Sequence, residues 1–139
     1  MLEQFDYLGP EQDSLLSKGY IFKFDGKEVE DQRRLFDAFG DGLLAPNGYF
    51  GLNWNAFEDS LMDLQWLPEL KVNIIHENLP NLDEGDLKVY LEILGSAVSK
   101  WNSPKTLSLQ EKFPEFIPHE LIVCFPVRYQ AFISSVLTK

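Results

Sequence analysis

The run Leu121-Ile-Val-Cys-Phe125 constrains the fold more than any other stretch of the chain. A strand with one wet face alternates apolar and polar residues, and this run does not alternate. Such a run is expected where both faces of a strand are covered, as in a parallel sheet. Parallel neighbours cannot be joined by a tight hairpin and need crossovers, most often helical. The rest of the chain supplies the pieces. Tyr20-Ile-Phe-Lys-Phe24 is aromatic and β-branched and is closed by Asp25-Gly26, which predicts a strand. Leu70-Lys-Val-Asn-Ile-Ile75 predicts another.

The intervening stretches have helical periodicity. Asp31 is placed to cap a helix with Leu35 and Phe39 on one face and Gly40 or Gly42 at its end. Ala45-Pro46-Asn47-Gly48 predicts a turn. Asn53 opens a second helix, in which Trp54, Phe57, Leu61 and Leu64 form a buried face, and Pro68 is placed to end it. Leu87, Tyr90, Leu91, Leu94 and Val98 form a third stripe, preceded by acids that suit a helix N-terminus. Residues 102–119, with Pro104, Pro114 and Pro118, read as a long connection. Tyr129, Phe132, Ile133, Val136 and Leu137 predict a C-terminal helix. Residues 1–17 read as an N-terminal extension with a turn at Gly9-Pro10. The expected fold is α/β: a small three-stranded parallel sheet packed with helices, plus an extra C-terminal helix. That helix is expected to pack on its own domain, because a parallel sheet needs both faces covered. A monomer is the corresponding expectation.

The 139 residues suit one domain, and the 45% apolar content with eleven Phe and three Trp suffices for a core without disulfides or metal. Cys124 is the lone cysteine, which leaves neither a disulfide framework nor a cysteine-based metal site. The N-terminal stretch has no basic n-region and no apolar h-region, and no apolar run is as long as a membrane span. A cytoplasmic protein is expected. The 22 acidic and 12 basic residues give a formal charge of −10, which argues against nucleic acid and anionic membranes as partners. The same charge favours steered association with a basic protein. It is also concentrated: between Leu52 and Ser96 there are nine acids against two bases.

Catalytic constellations are not legible. His76 and His119 sit in no motif with a nucleophile, and Cys124 lies inside the apolar run, where burial makes a thiol inert. Neither a Gly-x-Ser-x-Gly elbow nor a glycine-rich phosphate loop occurs. Asp83, Glu84 and Asp86 lack EF-hand spacing and read as solvated helix-start acids. Glu58 and Asp59 are adjacent, so on a helix they point about 100° apart and do not face one bond as an acid–base pair. No catalytic residue, metal or cofactor is expected. Asn55, Glu58, Asp59 and Met62 instead form a flank outside the apolar face, which alone reads as a solvated surface.

That flank has a context. Tyr49-Phe50-Gly51, followed by Asn53, Ala56, Phe57, Asp59 and Leu61, resembles the signature of the barstar family, intracellular inhibitors of secreted bacterial ribonucleases. The order of elements is also similar to that family's fold, from about Lys18 to Phe125, leaving residues 1–17 and 126–139 as extensions of a domain spanning 18–139. The resemblance implies that the second helix and its preceding loop lie across a basic active site, with carboxylates standing in for phosphate opposite Arg and Lys. It implies contact roles for Tyr49, Gly51 and Asp59. The sequence departs from the family at Asn55, where a second aspartate is common, at Glu58, where the founding member has tryptophan, and at Ser96, aligned with a contacting glutamate. The resemblance thus implies an immunity protein, not an enzyme, that blocks a basic ribonuclease toxin. The alternative is an adaptor or regulator of the same fold with a non-nuclease partner.

Overall fold

A computed structural model describes residues 4–9 and 18–139. Its elements run β1 (Asp6–Leu8), β2 (Tyr20–Asp25), α1 (Gln32–Gly42), α2 (Trp54–Asp63), β3 (Lys71–Asn78), α3 (Glu84–Trp101), α4 (Pro104–Lys112), β4 (Glu120–Pro126) and α5 (Gln130–Leu137). The strands form one sheet in the order β1-β4-β3-β2, parallel throughout. The parallel α/β expectation holds, with four strands instead of three. The added strand, β1, lies in the segment read as an extension and pairs Asp6–Leu8 with Cys124–Pro126. Three residues are too few to display a period, so the strand leaves no pattern in the sequence. Its neighbours explain it: the rings of Phe5 and Tyr7 both pack on Phe125, at 5.1 and 6.2 Å. The Gly9-Pro10 turn reaches outside the described residues.

The strand and helix boundaries follow local chemistry. Asp31 accepts from the Arg34 N–H and opens α1. Asp83 accepts from the Asp86 N–H and opens α3, whose first turn carries Glu84 and Asp86 as the helix dipole favours. The stretch read as a long connection holds α4. Ser103 caps it and Pro104 occupies its first turn, where a missing N–H costs nothing; here the proline is a start signal. Helix α2 ends before Pro68. It stops at Asp63 because Leu64 turns left-handed, at φ 49°, which keeps Leu64 and Leu67 in the core.

One face of the sheet carries Phe22, Phe24, Val72, Ile74, His76, Leu121, Val123 and Phe125, all buried. Against it pack Leu35, Phe36 and Phe39 of α1, Phe57 and Leu61 of α2, and Tyr90, Leu91, Leu94, Ala97 and Val98 of α3. Phe57 is the hub: its ring contacts Phe36, Phe39, Phe50, Trp54 and Tyr90. Full burial of one such side chain stabilises by roughly 2–3 kcal/mol. Helix α5 packs on α3 through Ile133 and Val136, so it extends the helical layer.

The end of α1 closes in a Schellman arrangement, with Ala45 N–H to Gly40 O at 2.9 Å and Leu44 N–H to Asp41 O at 3.3 Å. Its left-handed position usually holds glycine, yet here it holds Leu44, at φ 57° and 60% exposed. A side chain in that conformation costs roughly 1–2 kcal/mol, part of which glycine returns as chain entropy. Leu44→Gly is therefore expected to raise unfolding free energy by about 0.5–1 kcal/mol in urea titration. Unchanged or lowered stability would mean that the leucine makes contacts worth its strain.

Candidate functional site

The loop before α2 and the outer flank of α2 form one surface. Its geometry starts at Gly51, whose φ of +110° reverses the chain. A Cβ there would lie 2.6 Å from that of Ala56, so the position demands glycine twice over. The reversal sends Phe50 inward, against Phe39, Phe57 and Trp66. It leaves Tyr49 and Leu52 outside, 57% and 63% exposed. Asn53 follows as the cap, its Oδ1 accepting from the Ala56 N–H at 2.8 Å.

From that cap, α2 leaves Asn55 and Asp59 exposed and Glu58 and Met62 half-buried. Among the described residues, no hydrogen bond or ion pair occupies the carboxylates of Glu58 or Asp59. Helix α2 carries Glu58, Asp59 and Asp63 and no basic residue. Unpaired carboxylates on one exposed flank make a local negative potential whose reach is about 8–10 Å at physiological salt. Such a surface attracts and orients a basic partner.

The far end of α2 is held by other elements. Helix C-termini leave carbonyls without intrahelical donors. Here Trp101 Nε1 donates to Leu61 O at 3.0 Å, and Lys100 Nζ donates to Met62 O at 2.7 Å. Gln65 Nε2 donates to Asp63 O and to Ile117 O. His119 Nε2 donates to Leu64 O at 2.6 Å, which assigns its proton to that nitrogen. His119 is thus a structural clamp on the helix.

His76 is likewise structural. It is buried, with Nδ1 donating to Cys124 O at 3.0 Å and Nε2 accepting from the Tyr90 hydroxyl at 2.5 Å. A carbonyl can only accept, so the proton sits on Nδ1. Its ring stacks on Phe125 at 4.1 Å. Burial lowers its pKa to about 3, only partly offset by the Cys124 carbonyl. Burial also raises the pKa of Tyr90 well above its usual value. Cys124 is buried as expected. No group of three or more His, Cys, Asp or Glu among the described residues could hold a metal.

The structure thus gathers Tyr49, Gly51, Asn55, Glu58, Asp59 and Met62 on one loop and helix. Ser96 sits elsewhere in its surroundings: it is exposed on α3, one turn before Lys100, and borders a depression shared with Gln4, Glu92 and Leu137. Leu52 is the residue that sequence reasoning misses. An apolar residue just before a cap is expected to fold onto the helix's first turn, here onto Phe57, and vanish from the surface.

The family model described as Barstar (barnase inhibitor) matches residues 20–114. The chain belongs to the barstar family. The barstar match runs from β2 through α4 and contains the loop and all of α2. Strands β1 and β4 and helix α5 lie outside the matched stretch. Comparison with curated proteins and with solved structures gives no match. The barstar family is one of inhibitors that act by binding a protein. No helix among the described residues is long and apolar enough to cross a membrane.

Proposed function

We propose that the protein is a cytoplasmic, monomeric immunity protein that binds a basic ribonuclease and blocks its active site with the flank Asn55–Glu58–Asp59, without catalysis or cofactor. The observation that carries this reading is the pair of unpaired carboxylates, Glu58 and Asp59, on the solvent side of the helix that follows the barstar loop. Asp59 is the carboxylate that enters the site and takes the place of a substrate phosphate. Tyr49, Gly51 and Met62 border it, the glycine through backbone approach. Asn55 and Glu58 shift the charge along the helix relative to the family pattern, so the partner's cations are arranged differently from those facing an aspartate at Asn55. Ser96 and Glu92 stand on α3 beside Gln4 and Leu137, apart from this flank.

The test is RNA hydrolysis by purified basic ribonucleases, barnase first, with a fluorogenic substrate and increasing inhibitor. Stoichiometric inhibition that weakens as salt is raised is expected. Asp59→Ala should weaken binding at least tenfold, or about 1.4 kcal/mol. Glu92→Ala should stay within about twofold, since that exposed carboxylate stands apart from the flank. Equal effects of the two changes would remove Asp59 from the centre. Inhibition of no ribonuclease, with a non-nuclease partner captured from the host, would favour the adaptor reading.

A further inference from the structure

Leu52 and the helix beside it disagree about where an apolar residue belongs. Residues directly before a helix cap often pack against the fourth helical residue when both are apolar. Leu52 precedes the cap Asn53, and the fourth residue is Phe57. The sequence therefore meets the condition, yet Leu52 stays 63% exposed while Phe57 is fully buried. On the other side of Gly51, Phe50 is buried, with its ring 5.4 Å from that of Phe57. Gly51, at φ +110°, stands between the buried Phe50 and the exposed Leu52. Folding thus gains little from the exposed part of the Leu52 side chain, and a polar one would cost less in water.

We propose that Leu52, together with the face of Tyr49, is an apolar anchor for the partner, seated in an apolar pocket at the border of the partner's basic cleft. This rests on the inhibitor reading and adds to it a second chemistry: the helix flank supplies charge, and the loop supplies a desolvated contact. The occupant is a basic protein because the carboxylates of Glu58 and Asp59 begin one to two turns along the same surface. The two parts act on different steps. Charge raises the rate of encounter, and a buried apolar anchor slows dissociation. The anchor also sets specificity, since a ribonuclease with the same cations but a polar border would leave Leu52 against wet polar groups.

The experiment compares wild type, Leu52→Ser and Asp59→Ala by thermal unfolding and by surface-binding kinetics. The probe is immobilised barnase, or, where barnase is not bound, the ribonuclease most strongly inhibited in the hydrolysis assay. Leu52→Ser should leave the unfolding midpoint unchanged, since the side chain is outside the core. It should weaken affinity tenfold or more, entirely through faster dissociation and to the same extent at low and high salt. The loss caused by Asp59→Ala should shrink as salt rises. Undiminished affinity of Leu52→Ser beside a weakened Asp59→Ala would overturn the anchor and leave the inhibitor reading standing. Undiminished affinity of both variants, or no ribonuclease bound by the wild type, would overturn both.

Discussion

Gly40→Ala is expected to destabilise the protein by roughly 3 kcal/mol or more, against the helix propensity of the two residues. In an open helix the exchange would stabilise by about 1 kcal/mol. Gly40 is buried in the last turn of α1, where the Pro46–Gly48 turn folds back over it. A methyl group there would fall inside the contact radius of the Gly48 carbonyl oxygen and touch the Phe50 N–H. Both obstacles are backbone, so no side chain can swing aside. The loop would have to lift, drawing Phe50 away from Phe39, Phe57 and Trp66. Overpacking alone costs about 1–3 kcal/mol, and partial withdrawal of a buried phenyl ring adds to it. Urea unfolding reads the loss directly, and the tryptophan emission, to which Trp66 contributes, should shift to the red before unfolding. A variant as stable as the wild type would show that the loop rests on α1 without being anchored by it.

The second large effect is acid instability centred on His76. Its pKa is about 3 in the folded protein and 6.5 without the fold. Above pH 6.5 the ring is neutral in both states and stability is undisturbed. Below it, the unfolded chain takes up a proton that the folded chain refuses, so stability falls with pH until about 3. At 1.36 kcal/mol per pH unit the total is roughly 4–5 kcal/mol. Carboxylates contribute to any acid transition, so the diagnostic is a difference between proteins. His76→Phe should be less stable near neutrality by about 1–3 kcal/mol, because the Tyr90 hydroxyl and Cys124 carbonyl lose their partner. It should then lose less stability than the wild type between pH 6.5 and 3. Parallel curves for the two proteins would rule out His76 as the source.

The sequence displayed most of this fold because its core elements are written in periods. The apolar β4, the aromatic β2 and the stripes of α1, α2, α3 and α5 each announced their position. What stayed hidden was short or carried by ambiguous signals. Strand β1 is held by the rings of Phe5 and Tyr7 on Phe125, a tertiary contact without local trace. Helix α4 hid behind Pro104, a residue that opens helices as readily as it forbids them. The stop of α2 at Leu64 depends on a left-handed leucine, which no propensity favours. At the candidate site, the spacing of Asn55, Glu58 and Asp59 already separated them from the core face. The exposure of Leu52 was not legible, because an apolar residue just before a cap, four helical residues ahead of an apolar Phe57, more often folds inward.

The carbonyls at the end of α2 have a consequence beyond stability. Trp101, Lys100, Gln65 and His119 hold that end, Asn53 holds the other, and Phe57 and Leu61 hold the inner face. The outward side chains take no part in any of this. The helix therefore behaves as a mount whose displayed residues can be exchanged without disturbing the mounting. Asn55, Glu58 or Leu52 can thus be exchanged one at a time, and the displayed chemistry changes while the fold is expected to stay intact.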